Sequence, residues 1–313
     1  MERLALRSVP VSFFSTQLLG HGSNTLFDDM GYRGVVVSTA GLRSIEWDPP
    51  PADLASCLDR SLGCDVGSSL HEGTETRGSL VLVGGGVRGD VLARMAARRG
   101  WSGLEWAGGI PGSVGAGCRH NAGAHGGRWS DIVVAAEVVV VPKTGAPTTP
   151  RLAWVARDAI AWGDRAATWP GAGNDAIAVV TAALLRLTSE ASPGRAAAAT
   201  AEHLAWRRER QPLGRPSAGC VFRNNPKCDG TEFGETAGAL LDRLGMRGVG
   251  RGGAVVSSEH ANWIVTSGAG DGEGTATAAD VRDLIEECEA AADRVGATLV
   301  REVVVVPPEP AWE

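Results

Sequence analysis

The sequence is poor in aromatic residues and in long apolar runs. Tyrosine occurs once and phenylalanine five times, and aromatic residues make up 5% of the 313 positions. No apolar run approaches the roughly 20 residues that a helix needs to cross a bilayer, so we expect no membrane-spanning segment. Met1–Arg3 does not lead into the apolar stretch of a secretory signal, which favours a cytoplasmic location.

An excess of positive charge is also missing. Lys and Arg number 30 against 36 Asp and Glu, for a net charge of −6. A nucleic-acid partner requires a basic face, so this charge argues against one. An apolar fraction of 43% with 21% charged residues is typical of a folded soluble protein. The length suits two domains of ordinary size.

Paired cysteines of the metal-binding kind are absent as well. The six cysteines show no CxxC spacing, so a zinc site is not expected. Reduced thiols are the default for cysteines in a cytoplasmic protein. The cysteines are Cys57, Cys64, Cys118, Cys220, Cys228 and Cys288.

Apolar periodicity bounded by glycine and proline predicts the main elements. Thr277 and Asp280 are spaced as an N-terminal capping pair. We predict helices at Asp90–Gly100, Arg195–Gln211, Thr236–Gly245 and Thr277–Val295. We predict strands at Val9–Phe14, Gly34–Ser38, Leu80–Gly84, Ile132–Val141, Ala176–Leu187 and Leu299–Val306.

What the chain has in plenty is glycine, and it is concentrated in one segment. Residues 103–126 hold eight glycines. Because each Gly costs roughly 0.5–1 kcal/mol against Ala in a helix or strand, we expect tight loops here. Such loops present backbone N–H groups to a pyrophosphate or a flavin ring. A flexible Gly/Ser linker is the alternative, and Ile110, Pro111, Val114 and Cys118 argue against it.

Part of this segment resembles a family signature. Gly-Ile-Pro-Gly-Ser-Val-Gly at 109–115 and Asn-Ala-Gly-Ala-His-Gly at 121–126 are similar to the motif of the bacterial UDP-N-acetylenolpyruvoylglucosamine reductases. These are FAD enzymes of peptidoglycan precursor synthesis that use NADPH as co-substrate. The resemblance implies an α+β fold. An FAD-binding domain of the vanillyl-alcohol-oxidase (PCMH) type, in two subdomains, would span 1–190, and a smaller C-terminal α/β substrate domain would span 195–306.

The family also has a Gly-x-Gly-Ser-Asn loop that holds the FAD pyrophosphate, and residues 20–24 resemble it. His21 stands where a third small residue is expected. It has three readings: a bond to the pyrophosphate, a covalent link to flavin, or a solvent-facing loop histidine. The resemblance implies these cofactor-binding residues: Gly20, His21, Gly22, Ser23, Asn24, Gly109, Ile110, Pro111, Gly112, Ser113, Val114, Gly115, Asn121, Gly123 and Ala124.

The chain departs from the family pattern in three places. Only nineteen residues precede Gly20, so part of the first subdomain is expected to be missing or replaced. Glu46–Gly78 is longer than the usual connection and is interpreted as a surface insertion. The substrate-binding Tyr loop of one branch is absent, since the only tyrosine is Tyr32.

A second segment, Ser217–Pro226, resembles the element that carries the family's general acid. In that element a serine is the general acid, and Cys220 occupies its position in this chain. A thiol has a reference pKa of about 8.5 and is mostly protonated at neutral pH, so it can donate a proton. For an isolated Cys, a small buried hydrophobe is the alternative. Arg223 replaces the family's Lys, and the doubled Asn224–Asn225 lengthens the loop; Arg223 and Asn224 are candidate substrate-binding residues.

Three further positions complete the expected site. Arg157 matches the family's catalytic arginine, a fixed cation for a carboxylate or its enolate, against the alternative of a surface ion pair. Glu302 matches a second acid/base group, against an edge-strand carboxylate facing water. His260, in a loop similar to the substrate-proximal one, is a polar candidate for substrate binding.

Three functions stay open at this stage. The first is reduction of a UDP-sugar enolpyruvyl ether. The second is a diverged FAD-dependent oxidoreductase acting on another small molecule in a specialised pathway. The third is a non-catalytic homologue that has lost FAD. In each case we expect a monomer or homodimer without a nucleic-acid or membrane partner.

Overall fold

The structure is a computed structural model that describes residues 16–50, 78–142, 151–172, 176–189, 192–224, 236–267 and 275–308. Its contacts group the chain into two compact units. The first unit comprises Met1–His21 and Gly34–Leu204, and the second comprises Gly22–Arg33 and Ala205–Glu313. Each unit is described by itself.

The first unit is built on a sheet in which a long central strand pairs on both sides. Its strands are β4 (Ile45–Trp47), β5 (Gly78–Gly84), β6 (Trp101–Ser102), β9 (Val133–Pro142), β10 (Arg151–Ala156) and β13 (Ala176–Ser189). Their order in the sheet is β10-β9-β13-β5-β4, and β6 also pairs with β13. All of these pairings are antiparallel.

An irregularity in β13 keeps one face of this strand in the core. Ala178 and Val180 are buried, then the register shifts, and Ala183 and Leu185 are buried next. Because side chains alternate along a strand, an extra residue between Val180 and Ala182 restores the buried face. The alternation of buried and exposed side chains along this strand therefore shifts by one residue at the irregularity.

Two helices of the first unit pack on the sheet. Helix α1 (Gly89–Arg98) buries Leu92 and Ala96 and is followed by Gly100 at φ 75°, a glycine stop. Helix α2 (Val114–Arg119) begins at Ser113, whose hydroxyl accepts a hydrogen bond from the Ala116 N–H at 3.2 Å. The expectation that residues 103–126 form loops throughout was wrong, because α2 lies inside them.

The glycines of α2 serve the packing of the protein. A Cβ on Gly115 would lie 2.6 Å from the Val180 carbonyl oxygen. A Cβ on Gly117 would lie 2.1 Å from Trp129 Nε1. The missing side chains let the helix approach β13 and Trp129, and this contact offsets the poor helix propensity of glycine.

Smaller elements complete the first unit. Strand β1 (Thr16–Leu19) pairs in parallel with β3 (Val35–Ser38). Two short antiparallel strand pairs also belong to this unit. These are β7 (Gly123–Ala124) with β8 (Gly127–Arg128), and β11 (Ala161–Gly163) with β12 (Ala166–Thr168).

The second unit has its own sheet, helices and core. Its sheet order is β14-β17-β16-β15, and buried Phe222, Leu240, Leu284 and Ile285 belong to one apolar cluster. The strands are β14 (Ser217–Cys220), β15 (Gly250–Arg251), β16 (Ala254–Val256) and β17 (Trp263–Thr266). The helices are α4 (Ala237–Arg243) and α5 (Ala278–Asp293), while α3 (Arg195–Arg210) crosses the boundary between the two units in sequence.

Residues 22–33 group with the second unit because of a parallel strand pair. Strand β2 (Thr25–Phe27) pairs with β18 (Val304–Val306) near the end of the chain. In addition, the Asp29 carboxylate accepts hydrogen bonds from the first N–H groups of α5, at 2.7 and 3.0 Å. A pairing between the two ends of the sequence is not visible in local patterns.

The remaining outcomes concern the predicted elements. The capping pair is confirmed, because Thr277 and Asp280 exchange reciprocal bonds of 2.8 and 3.1 Å at the start of α5. The strand at Leu299–Val306 is shorter than predicted, beginning at Val304. Glu46 lies in β4 and Gly78 begins β5, so the interpretation of Glu46–Gly78 as an insertion was wrong at both ends.

Other predictions concern residues that the structure does not describe. The strand at Val9–Phe14, the stretch 51–77 and Asn225 lie outside the described residues. Within the described part of the chain, no helix combines the length and the apolar character needed to cross a membrane.

Candidate active site

Two predicted cofactor loops of the first unit lie against each other. A Cβ on Gly20 would lie 2.9 Å from Ser113 Oγ and 3.5 Å from Ala116 Cβ. Next to it, His21 Nε2 is 2.9 Å from the Gly86 carbonyl oxygen. This histidine, exposed to solvent, therefore ties the first loop to the glycine turn after β5.

Several main-chain groups of the second loop form hydrogen bonds within the protein. The N–H groups of Ile110, Val114 and Gly115 donate to the carbonyls of residues 107, 87 and 85, at 3.1, 2.8 and 2.8 Å. These three N–H groups do not serve a ligand. Gly109 and Gly112 have φ of 79° and 112°, conformations that favour glycine.

The loops nonetheless fit a flavin dinucleotide. Gly20 packs directly against Ser113 and Ala116 because it has no Cβ, which brings the main chain of residue 20 close to the second loop. A diphosphate needs such closely spaced backbone groups. Gly20, Gly109, Pro111, Gly112 and Ser113 are thus the residues of the first unit that would hold FAD.

Asn121, Gly123 and Ala124 shape the turn after α2. Asn121 is 5% exposed, with φ of 44°, and both ends of its amide bond main-chain groups of the protein. A Cβ on Gly123 would lie 2.4 Å from the Gly127 carbonyl oxygen, so glycine closes the β7–β8 hairpin. These contacts hold the conformation of the turn that follows α2.

Arg157 follows β10 at the start of a 3₁₀ turn, Arg157–Ala159. Its Nε donates to the Ser130 carbonyl at 2.8 Å. Its terminal Nη1 lies 3.5 Å from an Asp158 carboxylate oxygen, with both side chains well exposed. Such an exposed pair contributes little, so the bond to Ser130 is the contact that orients the guanidinium.

In the second unit, main-chain bonds bring the segments of Cys220 and Glu302 together. Cys220 ends β14 and is half-buried. The neighbouring Val221 carbonyl accepts from the Glu302 N–H at 2.7 Å and from the Val303 N–H at 3.2 Å. The predicted acid and the predicted carboxyl group therefore come from adjacent segments, although Glu302 itself is not in a strand as predicted.

Asn24 joins this second group. Its Nδ2 donates to the Glu302 carbonyl at 2.9 Å, and its own carbonyl accepts from the Val304 N–H at 3.0 Å. The side chain predicted to bind FAD is engaged in holding the Glu302 segment.

Arg223 and Asn224 follow Cys220 along the chain. The Arg223 N–H donates to the Val300 carbonyl at 2.8 Å. Its Nε atom is buried and, among the described residues, has no hydrogen-bond partner. An unpaired buried donor on a cation suits an anionic ligand, while Asn224 is exposed.

Comparison with known proteins decides the family. A model for FAD-binding domains matches residues 14–145, and one for the C-terminal domain of UDP-N-acetylenolpyruvoylglucosamine reductase matches residues 211–306. The reductase of that name from Acaryochloris marina is 33% identical, over 89% of this chain and 72% of its own length. This chain belongs to the UDP-N-acetylenolpyruvoylglucosamine reductase family.

Other members of the reductase family agree. UDP-N-acetylenolpyruvoylglucosamine reductase 2 of Symbiobacterium thermophilum is 35% identical over 92% of this chain and 77% of its own length. The crystal structure of the Thermus caldophilus reductase matches with a TM-score of 0.66 and 27% identity, over 95% of this chain and 87% of that one. The predicted fold class and the prediction of an FAD-dependent oxidoreductase are confirmed.

Sequence reasoning missed Asn262, which is 1% exposed. Its Oδ1 accepts from the Phe222 N–H at 2.9 Å, and its Nδ2 donates to the Phe222 carbonyl at 2.8 Å. Asn262 thereby fixes the main chain two residues after Cys220. The available signal was a polar residue inside the apolar run Ala261–Val265.

Arg207 on α3 was also missed. It is 8% exposed, and its Nε has no hydrogen-bond partner among the described residues. Burial lowers the pKa of this guanidinium, and a charge interaction with Cys220 opposes the shift. The helix is rich in arginine, and its sequence does not distinguish Arg207 from Arg208.

His260 has a perturbed environment. Burial, followed by the nearby Arg247 cation, lowers the pKa of its imidazole. The Asn262 N–H donates to His260 Nδ1 at 3.2 Å, which requires that nitrogen to be unprotonated. His260 Nδ1 therefore acts as an acceptor, an arrangement that favours the neutral imidazole and supports the Asn262 loop.

Proposed function

We propose that this chain reduces the enolpyruvyl ether of UDP-N-acetylglucosamine enolpyruvate, with FAD as cofactor and NADPH as co-substrate. The main support is the combination of two family matches with the pairing of the Cys220 and Glu302 segments through the Val221 carbonyl. The site roles, a cytoplasmic location and a monomer or homodimer are parts of the same proposal.

When bound, FAD would supply the two-electron chemistry by which hydride from NADPH reaches the vinyl carbon of the substrate. The chain supplies charge and a proton. The Arg157 guanidinium binds the substrate carboxylate and stabilises the enolate that forms from it. Glu302 is the second acid/base group of the reaction in this proposal.

Cys220 completes the reaction by donating its Sγ proton to the enolate carbon. Hydride and this proton together convert the carbon–carbon double bond into a lactyl ether. The resulting thiolate takes a proton from solvent before the next turnover. Arg223, Asn224 and His260 bind the rest of the UDP-sugar in this proposal, and the unpaired Arg223 Nε suits one of its anionic groups.

Anaerobic stopped-flow measurement of the two half-reactions tests this role. Cys220→Ala should leave reduction by NADPH nearly unchanged, because that step needs no substrate proton. Reoxidation by the enolpyruvyl substrate should slow by about 10²–10⁴, the usual loss for a missing general acid. Cys220→Ser should recover much of the rate.

Cys288→Ala is the matched control, since that buried thiol lies on α5 of the same unit. It should change both half-reactions equally and slightly. The same pattern for Cys220→Ala would contradict the acid role. If the wild-type protein binds FAD but the UDP-sugar does not reoxidise its reduced flavin, the diverged oxidoreductase is favoured. If the protein takes up no FAD, the non-catalytic homologue is favoured.

A further inference from the structure

A closed ring of hydrogen bonds in the first unit includes Arg157. Its Nε donates to the Ser130 carbonyl at 2.8 Å, and the Ser130 N–H donates to Asn121 Oδ1 at 3.0 Å. Asn121 Nδ2 donates to the Gly163 carbonyl at 2.9 Å. The residue before Gly163, Trp162, donates its indole N–H to the Arg157 carbonyl at 3.0 Å. The ring thus returns to the residue where it began.

The ring depends on both ends of one amide. Asn121 is 5% exposed and Ser130 is 7% exposed, so little water reaches the bonds between them. Oδ1 must accept and Nδ2 must donate, which a carboxylate cannot do because it only accepts. A φ of 44° also suits asparagine better than most residues. Position 121 therefore meets a conformational and a hydrogen-bonding requirement at once.

We propose that Asn121 is a positioning residue for Arg157. This inference rests on the proposed function, which makes Arg157 the cation that meets substrate. Because Nε is used by Ser130, the guanidinium is fixed on one edge. Its terminal Nη1 engages the exposed Asp158 carboxylate, a weak contact that a planar substrate carboxylate can replace. Asn121 acts through Ser130 and not on FAD, although it lies in the cofactor motif.

Two variants separate the requirements at position 121. Asn121→Gly keeps the positive φ and removes the amide. Asn121→Asp keeps the shape and places a carboxylate oxygen against the Gly163 carbonyl. Both should slow reoxidation by the UDP-sugar about 10- to 100-fold, the scale of a misplaced catalytic group. Reduction by NADPH should change less than about 2-fold in both, since that step does not use Arg157.

Ser79→Ala is the matched control. Ser79 is fully buried on β5, and its hydroxyl donates to the Asp48 carboxylate at 2.6 Å. Two other strands separate β5 from β10 in the sheet. It should alter thermal stability without separating the half-reactions. In an Arg157→Ala background, Asn121→Gly should produce no further slowing, because the group that it positions is gone. Fully additive losses would overturn the proposal.

A spectroscopic measurement keeps the ring testable if the substrate is wrong. The Arg157 Nε–H resonance in ¹⁵N spectra, assigned by its loss from Arg157→Lys, should be protected from exchange in the wild type and Ser79→Ala. It should exchange rapidly in Asn121→Gly and Asn121→Asp. Unchanged protection in both variants would overturn the inference, whereas a wild-type protein inactive on the UDP-sugar would overturn only the proposed function.

Discussion

The two units hold their proposed reactive groups in different ways. In the first, a side-chain atom of Arg157 is itself bonded to main chain, and Asn121 stands behind that bond. In the second, the main chain beside Cys220 is fixed, by Glu302 through Val221 and by Asn262 through Phe222. Damage to the first arrangement should therefore appear as lost rate, and damage to the second as lost stability.

The largest stability effect should come from Asn262→Ala. It leaves the N–H and carbonyl of buried Phe222 unpaired, and each unpaired group costs about 1–3 kcal/mol, so we expect a loss of ~2–6 kcal/mol. Urea unfolding followed by fluorescence measures it. Exposed Asn224→Ala should stay within about 0.5 kcal/mol of wild type. Similar midpoints for the two variants would show that the Asn262 bonds to Phe222 do not stabilise the second unit.

A smaller loss should follow Gly115→Ala in the first unit. The new Cβ would lie 2.6 Å from the Val180 carbonyl oxygen, which belongs to backbone and cannot move aside cheaply. Overpacking of this kind costs about 1–3 kcal/mol, and thermal unfolding at a fixed FAD concentration measures it.

Gly41→Ala provides the comparison for Gly115. No atom lies within 4 Å of its added Cβ, and its φ is not in the left-handed region. It should leave stability unchanged or raise it by about 0.4–1 kcal/mol. Equal losses in the two variants would show that glycine content, and not helix–strand packing, sets the stability of this unit.

The smallest effect concerns pH and His260 in the second unit. Its folded pKa is lowered, so the unfolded state binds more protons as pH falls below the unfolded value of about 6.5. The stability associated with neutral His260 is complete above that pH and is lost as pH falls towards the folded pKa. The slope from one group is at most about 1.4 kcal/mol per pH unit.

Urea unfolding between pH 7.5 and pH 5 should show this slope in the wild type and a flatter curve in His260→Gln. Parallel curves for the two proteins would mean that the half-buried imidazole of His260 does not titrate differently on folding. The Asn262 loop would then owe its stability to other contacts.

Local chemistry predicted much of the fold. Helix α5 begins where Thr277 and Asp280 place it, because a capping box involves only residues three apart. The family motifs also predicted FAD as the cofactor, in agreement with the match to FAD-binding domains. These signals lie within a few residues of one another, so a single sequence displays them.

Other features required the tertiary structure. The sequence determined that residues 103–126 are rich in glycine, but only packing against Val180 and Trp129 shows that two of those glycines lie in a helix. It showed Asn121 inside a cofactor motif, while the fold decided that its amide faces Ser130 and Gly163. The reason is physical: composition and short-range patterns set local conformation, whereas the partner of a buried amide or of a missing Cβ comes from a distant part of the chain.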